Sequence, residues 1–245
     1  LVARGNEVTI ATRGKTKDDF GMAINRLIMD VSDAESVKAA LHGKYFDVIF
    51  DNLAYCSVYV NNVLSNIKCG KYIQLSSIAS YAVRVPDIKE GHFDPYRLPV
   101  EICDTSVGYG RGKRQAEAIA YQHFKEIPVA TVRIPYVTKT DRLYYYCKSI
   151  VKQQPMNITD VSRGFSFVQD HEIGRFLPWL AAQDFTGPIN LASEGMVTIQ
   201  MILDYIGSKT NKQAIIDISN GSQSPFNEKT FSLNLDKVKQ MGYRT

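Results

Sequence analysis

The sequence has few of the features that mark secreted, metal-binding or membrane proteins. It has only four cysteines in 245 residues, with no Cys-x-x-Cys pair and no histidine at metal-ligand spacing from them. We therefore expect reduced thiols in a cytoplasmic protein, and neither a disulfide framework nor a metal site. No apolar run reaches the roughly 18 residues of a transmembrane helix, and we expect no signal peptide.

A strong net charge is also absent. The chain has 29 Lys and Arg against 25 Asp and Glu, which leaves a net charge of +4. Basic and acidic residues are interspersed, so the total charge requires neither a nucleic-acid partner nor a membrane. The hydrophobic share of 44% and the charged share of 22% are typical of a globular protein.

Short β-rich runs alternate with helical stretches. The pattern predicts strands at Glu7–Thr12, Arg26–Met29, Asp47–Phe50, Tyr72–Leu75, Val129–Ile134 and Pro188–Leu191. It predicts helices at Ala34–Leu41, Val58–Ile67 and Lys113–Lys125. This alternation indicates βαβ units and a doubly wound parallel sheet in an α/β fold. After about Arg133 the elements become shorter, which favours a smaller C-terminal lobe.

The stretch YGRGKRQAEA, residues 109–118, is open to three interpretations. A phosphate loop requires G-x-x-x-x-G-K-[ST], but the spacing from Gly108 to Gly112 is one residue short, and Arg114 replaces the hydroxyl. A nucleic-acid patch would use Arg111, Lys113 and Arg114, but no stacking aromatics alternate with them. Nucleic-acid binding is therefore the minor alternative.

The third interpretation is an acid/base pair. Tyr109 and Lys113 are four residues apart, so on a helix they share one face. Lowering a tyrosine pKa by about three units requires roughly 4 kcal/mol, part of which a neighbouring ammonium supplies. The segment YIQLSSIASY, residues 72–81, predicts a strand that ends in serines where parallel sheets bind ligands. Ser77 could therefore bind a substrate oxygen, although a serine that only caps the next turn gives the same pattern.

With these segments, the sequence resembles the extended short-chain dehydrogenase/reductase family of NAD(P)-dependent epimerases, dehydratases and reductases. The matching segments, in order, are EVTIATRG, RLIMDVSD, DVIFDNLAY, IQLSSIASY, YGRGK, VRIPYV, FSFVQDHEIGRFL and PINLAS. The resemblance implies a Rossmann-type doubly wound parallel sheet. It also implies a dinucleotide-binding domain over residues 1–138 and an interleaved, mainly substrate-binding lobe over residues 139–245.

The resemblance assigns roles to individual residues. Ser77, Tyr109 and Lys113 would be catalytic. The cofactor would contact Tyr109 and Lys113 together with Arg13, Asp30, Asn52, Leu53, Ala54, Pro135 and Val137. Tyr81 and Arg163 would join Ser77 in binding substrate. Arg163 could meet a diphosphate, although a surface arginine explains it at least as well.

Three features depart from the family pattern. The glycine-rich turn after the first strand is absent, so we expect the sequence to lack an N-terminal piece of roughly 25–30 residues that holds the pyrophosphate site. Ile78 and Ala79 stand where dehydratases of the family carry an acidic pair, which argues against dehydration. Gly110 and Gly112 separate the Tyr and the Lys, and either allow close packing or mark a loose helix start.

Cofactor choice is predicted from the end of the second strand. NAD-preferring members carry an acidic residue there, whereas this chain has Arg13, Lys15 and Lys17. These side chains are donors that can pair with the 2′-phosphate of NADP, so they favour NADP over NAD. The alternative interpretation is that they form a solvated basic loop with no role in cofactor binding.

The expected function is that of an NAD(P)-dependent epimerase or reductase. It would act on a hydroxyl or keto group of a sugar nucleotide or related small molecule. The alternative is a non-catalytic Rossmann-fold binding protein that is RNA-associated or redox-sensing. The resemblance also makes a homodimer possible, because the helix pair around Val58–Ile67 and Lys113–Lys125 commonly forms a dimer interface in the family. Val58, Val63, Leu64 and Ile67 suit that interface as well as they suit burial against the sheet.

Overall fold

A computed structural model describes residues 1–17, 19–138, 141–218, 224–226 and 229–244. The strands are β1 (Thr9–Thr12), β2 (Asn25–Ile28), β3 (Lys44–Asp51), β4 (Ile67–Ser77), β5 (Val129–Ile134), β6 (Tyr136–Val137), β7 (Met156–Asn157), β8 (Gly164–Phe165), β9 (Phe167–Val168), β10 (Gly187–Asn190), β11 (Val197–Thr198) and β12 (Ile216–Asp217). The helices are α1 (Ala34–Leu41), α2 (Ser57–Leu64), α3 (Tyr109–His123), α4 (Asp141–Val151), α5 (Asp170–Ala181), α6 (Ile199–Thr210) and α7 (Asp236–Gln240).

The largest sheet has four strands in the order β10-β5-β4-β3. Strands β3 and β4 run parallel, with Asp51 opposite Gln74. Strands β1 and β2 form a separate parallel pair, and β6–β9, β7–β12 and β8–β11 form short pairs. The predicted α/β fold with a parallel sheet is therefore confirmed.

Element boundaries follow the sequence pattern, except that β3 and β4 are longer than the predicted Asp47–Phe50 and Tyr72–Leu75 and that two helices differ. Helix α1 and strand β5 match their predicted bounds residue for residue. Helix α2 ends at Leu64 and β4 begins at Ile67, so the helix predicted over Val58–Ile67 is too long. Helix α3 begins at Tyr109, four residues before its predicted start, because both glycines of the stretch are accommodated within it.

The chain divides into two compact units. The first comprises Leu1–Ser80, Asp94–Val132 and Phe176–Pro188, and the second comprises Tyr81–Phe93, Arg133–Arg175 and Ile189–Thr245. The interleaving arises because the chain passes from one unit to the other several times. Among the described residues, no helix is both long and apolar enough to cross a membrane.

The core of the first unit lies between strands and helices α1, α2 and α3. Val63, Leu64 and Ile67 are buried in it with Tyr72 and Ile119. Burying a side chain of this kind contributes about 1.5–3 kcal/mol. Packing within the unit therefore accounts for Val63 and Leu64 of α2 and Ile67 of β4, which the sequence also offered to a dimer interface, whereas Val58 is only partly buried.

The core of the second unit is rich in aromatic rings. The ring of Tyr136 lies 4.8 Å from that of Phe226 and 5.4 Å from that of Phe231, measured between centroids. Arg133 is fully buried, with its guanidinium 4.8 Å from the ring of Tyr81 and 4.8 Å from that of Phe93. It also donates hydrogen bonds to backbone carbonyl oxygens at positions 90 and 93, so the buried charge is compensated.

Candidate active site

The candidate site lies in the first unit, where α3 begins beside the end of β4. Gly108 precedes the helix with a φ of 85°, a conformation that favours glycine. Tyr109 opens the helix with 53% of its surface exposed, whereas Lys113, one turn later, is only 2% exposed. The ammonium nitrogen of Lys113 donates a 2.8 Å hydrogen bond to the carbonyl oxygen of Leu75. The predicted Tyr–Lys pair is therefore on one helix, with the tyrosine exposed and the lysine beneath it.

Two aromatic rings accompany the Lys113 ammonium. Its nitrogen lies 4.8 Å from the ring centre of Tyr55 and 5.8 Å from that of Tyr109. The two rings are themselves 6.1 Å apart. Burial lowers the pKa of Lys113 to about 8, although the charges of Asp51, Glu117 and Cys56 oppose that shift. The ammonium is therefore poised to lose its proton just above neutral pH.

The two glycines of the stretch are sites of close backbone approach. A Cβ on Gly112 would lie 2.4 Å from the carbonyl oxygen of Tyr55. A Cβ on Gly110 would lie 2.9 Å from the carbonyl oxygen of Ala79. Both distances are too short for any side chain, so of the two explanations offered by the sequence the structure supports close packing.

The consecutive serines at the end of β4 have different surroundings. Ser77 is half-buried, and its hydroxyl oxygen accepts a 3.2 Å hydrogen bond from the backbone nitrogen of Ala79. Ser76 is buried, donates a 2.5 Å hydrogen bond to Glu117 and lies 2.9 Å from the hydroxyl of Ser80. Ser77 is thus at the strand end beside α3, as predicted, while Ser76 and Glu117 form a buried pair that the sequence analysis missed. The signal that could have found it is the spacing of four between Lys113 and Glu117, which puts them on one helix face.

A second missed residue is Asp51, at the end of β3. One of its carboxylate oxygens accepts a 2.6 Å hydrogen bond from the Tyr72 hydroxyl, and the other accepts a 2.7 Å bond from the Leu53 backbone nitrogen. Burial raises the pKa of Asp51, and these hydrogen bonds and the charge of Lys113 oppose the rise. Of the three following residues predicted to contact the cofactor, Asn52 and Leu53 are exposed and Ala54 is buried.

The residues predicted to bind the adenosine end of the cofactor follow the ends of the parallel strands β1 and β2. Asp30 accepts hydrogen bonds from the hydroxyl and the backbone nitrogen of Ser32, at 2.6 and 3.0 Å. These bonds lower the pKa of Asp30, and the charges of Arg13 and Lys15 add to the effect. The charges of Arg13 and Lys15 thus act on Asp30, and the cofactor roles of Arg13 and Asp30 remain predictions.

Four predicted residues belong to the second unit. Tyr81 is buried and donates a 2.5 Å hydrogen bond to the Asn190 side chain. Arg163 forms an ion pair with Asp160 at 3.4 Å. Val137 lies in β6, and Pro135 directly precedes that strand. Their assignment to cofactor or substrate remains a prediction.

The remaining candidate chemistry is sparse. All four cysteines lie within the described residues, and each is a free thiol. Across the described ranges, no group of three or more His, Cys, Asp or Glu side chains could hold a metal ion.

Comparison with known proteins gives a match in structure without a match in sequence. No protein-family model matches the chain, and no curated protein sequence matches it. Many solved structures do match, at low sequence identity.

Three of these structures are representative. UDP-glucose 4-epimerase from Thermotoga maritima, solved with UDP-glucose, is 12% identical with a TM-score of 0.72, covering 99% of this chain and 87% of that chain. UDP-glucuronic acid 4-epimerase from Bacillus cereus, solved with NAD, is 16% identical with a TM-score of 0.67, covering 91% and 73%. The enzyme WbmG from Bordetella bronchiseptica, solved with NAD and UDP, is 12% identical with a TM-score of 0.66, covering 98% and 81%. The chain thus has the fold expected from the family resemblance.

Proposed function

We propose that this chain is an NAD(P)-dependent epimerase or reductase of the extended short-chain dehydrogenase/reductase family, acting on a hydroxyl or keto carbon of a sugar nucleotide. The observation that carries the proposal is the buried Lys113 ammonium one helical turn beneath the exposed Tyr109, beside Ser77. The solved structures of the same fold support the substrate class, because they include complexes with UDP-glucose and with NAD.

Tyr109 is the residue that exchanges a proton with the substrate. A free tyrosine has a pKa near 10, so its phenolate must be stabilised for it to act as a base near neutral pH. The Lys113 ammonium, 5.8 Å from the Tyr109 ring, supplies a positive charge from a position that is itself buried away from water. The Ser77 hydroxyl orients the substrate oxygen and donates to it as negative charge develops there.

The chain's residues fit a nicotinamide nucleotide. Arg13 and Lys15 beside Asp30 can receive the adenosine end, and the exposed Asn52 and Leu53 follow the end of β3. Parallel sheets bind dinucleotides along this carboxyl edge. When bound, the nicotinamide accepts or delivers the hydride. Lys113 would hold its ribose, and Pro135 and Val137 would also contact the cofactor.

Within this proposal we favour NADP over NAD. Arg13 and Lys15 offer donors near Asp30 that can pair with a 2′-phosphate. Calorimetric titration of the full chain with NADPH and NADH should show tighter binding of NADPH. Arg13→Ala should remove that preference, and Lys44→Ala, an exposed charge on β3, should retain it. Equal affinities in the unaltered protein would argue for NAD.

We also propose that residues 139–245 are mainly substrate-binding and that Tyr81 and Arg163 contact the substrate. Arg163 is partly exposed and pairs with Asp160, so a diphosphate would compete with that carboxylate for the guanidinium. A homodimer and a cytoplasmic location remain part of the proposal, the latter in keeping with the free thiols.

The deciding experiment is Tyr109→Phe in the purified full chain, assayed with NAD(P) and a panel of UDP-sugars. Loss of turnover with cofactor affinity unchanged supports the proposal. Tyr144→Phe, an exposed tyrosine on α4, is the matched control and should retain activity. No turnover by the unaltered protein, together with salt-dependent RNA binding that Arg111→Ala or Arg114→Ala removes, would favour the non-catalytic alternative.

A further inference from the structure

Asp51 is a buried carboxylate with a place in the site that no family motif assigns to it. It ends β3, opposite Gln74 of β4, and both carboxylate oxygens are hydrogen-bonded, one to Tyr72 and one to the Leu53 backbone. A buried carboxylate is costly unless hydrogen bonds or an opposite charge compensate it. Its two hydrogen bonds supply part of that compensation, and the nearby Lys113 ammonium supplies the opposite charge.

Several groups face the Lys113 ammonium from the elements around it. These groups include Asp51 on strand β3, the Leu75 carbonyl on strand β4, and Cys56, which directly precedes α2. Helix α3 itself contributes Tyr109 and Glu117, and Tyr55 contributes its ring. Two carboxylates, Asp51 and Glu117, are therefore candidates to balance the buried charge.

Glu117 is already engaged by other partners. It accepts a 2.5 Å hydrogen bond from Ser76 and a 3.3 Å bond from the Thr131 hydroxyl, on β5. Asp51 lies opposite Gln74 of β4, next to Leu75, whose carbonyl oxygen accepts the hydrogen bond from the Lys113 ammonium. This placement makes Asp51 the principal candidate for the counter-charge, in keeping with its electrostatic effect on Lys113.

Asp51 also shapes the turn that carries Tyr55. Its bond to the Leu53 nitrogen spans two residues, in the manner of an Asx turn. The Tyr55 nitrogen in turn donates a 2.6 Å bond to the Leu53 carbonyl oxygen. The Tyr55 carbonyl then lies against Gly112, and its ring lies 4.8 Å from the Lys113 nitrogen.

We propose that Asp51 is a positioning residue that keeps Lys113 protonated and seats the Tyr55 ring against its ammonium. The proposal deepens the proposed function and rests on it, because Lys113 affects turnover only if Tyr109 exchanges protons. The charge of Lys113 can nevertheless be measured without substrate or cofactor, so the two proposals can fail separately.

The test compares Asp51→Asn with Asp47→Asn in the full chain. Asp51→Asn keeps the shape and an acceptor for the turn but removes the charge, whereas Asp47→Asn removes an exposed charge from the same strand. The readout is NMR of lysine labelled with ¹³C and ¹⁵N, with the Lys113 side-chain signal identified by its absence in Lys113→Met. Asp51→Asn should lower the titration midpoint of Lys113 by about one pH unit or more, and Asp47→Asn should leave it unchanged.

Turnover provides the second readout. In Asp51→Asn, the fall of kcat at alkaline pH should move to lower pH together with the Lys113 midpoint, while KM for the substrate changes little. A structural role alone would lower kcat equally at every pH. An unchanged Lys113 midpoint in folded Asp51→Asn would overturn the proposal.

Tyr72→Phe keeps the test decisive if Asp51→Asn does not fold. Removing the Tyr72 hydroxyl takes away a hydrogen bond that favours the charged form of Asp51, so Lys113 should shift in the same direction by a smaller amount. In the unaltered protein, Lys113 should be protonated at pH 7, and a neutral Lys113 at that pH would also overturn the proposal. If Lys113 shifts as expected while Tyr109→Phe retains full turnover, the positioning role stands and the proposed function fails.

Discussion

Ser76 on β4 donates a 2.5 Å hydrogen bond to the Glu117 carboxylate on α3. Both residues are buried, and they lie 41 positions apart in the chain. The bond fixes the helix that carries Tyr109 and Lys113 to the strand that carries Ser77. Its neighbour Ser77 is half-buried and ends β4, so the two adjacent serines have different surroundings, and our proposal gives them separate tasks.

These separate tasks predict opposite outcomes for two similar variants. Ser76→Ala removes a donor from the buried Glu117 and should lower the free energy of unfolding by about 1–3 kcal/mol. Ser77→Ala should leave stability within about 0.5 kcal/mol and reduce kcat. Urea denaturation and turnover assays measure the two effects. If Ser76→Ala is stable but has an impaired kcat, the catalytic role belongs to Ser76 and the assignment of that role to Ser77 is wrong.

Gly112 should not tolerate a methyl group. In Gly112→Ala the new Cβ would lie 2.4 Å from the Tyr55 carbonyl oxygen, so the loop or the helix must move. We expect a loss of at least about 2 kcal/mol despite the better helix propensity of alanine. Gly174→Ala, in the exposed part of α5 with nothing within 4 Å of the new Cβ, should instead gain up to about 1 kcal/mol. Thermal denaturation of both variants checks the prediction, and a stabilised Gly112→Ala would contradict the close approach.

Gln74 should be replaceable with a gain in stability. It is fully buried, and neither atom of its amide has a hydrogen-bond partner among the described residues. Gln74→Met has a similar shape and should raise the free energy of unfolding by about 1–2 kcal/mol, because an unpaired buried amide is removed. Gln115→Met is the control, since Gln115 is also buried but bonds to the backbone at positions 99 and 101. Gln115→Met should be less stable than the unaltered protein. If both variants change the free energy of unfolding by a similar amount, Gln74 and Gln115 do not differ in hydrogen bonding as described.

Lys113 should leave a signature in the dependence of stability on pH. Its pKa is about 8 in the folded chain against an ordinary value of 10.5, so the unfolded chain holds the proton more tightly between these values. The penalty for burying the charge is full below about pH 8 and is relieved as pH rises toward 10.5. The stability of the unaltered protein relative to Lys113→Met should therefore rise by at most about 1.4 kcal/mol per pH unit in this window. Urea denaturation from pH 7 to pH 10 measures this difference, and a flat difference would show that the lysine keeps its ordinary pKa.

Local sequence pattern was sufficient for the fold class and for much of the site. Strand β5 and helix α1 were predicted residue for residue, since hydrophobic runs are local signals. The Tyr109–Lys113 pair was proposed from its spacing of four, which is weak by itself, and Ser77 was proposed from its place after an apolar strand. Chain order then strengthened each of these matches, because the segments occur in the sequence expected of the family.

Tertiary structure alone decided which groups surround Lys113. Asp51 and Ser76 carry no local signal, and the spacing of four between Lys113 and Glu117 does not reveal that Ser76 is the partner of Glu117. A buried carboxylate is recognisable only once the partners that compensate it are in place. The glycines at 110 and 112 were ambiguous in sequence, and the carbonyl oxygens that exclude a Cβ there come from residues more than 30 positions away. The pKa of Lys113 likewise depends on the water excluded by packing and on charges brought close by the fold, and both arise from contacts distant in the chain.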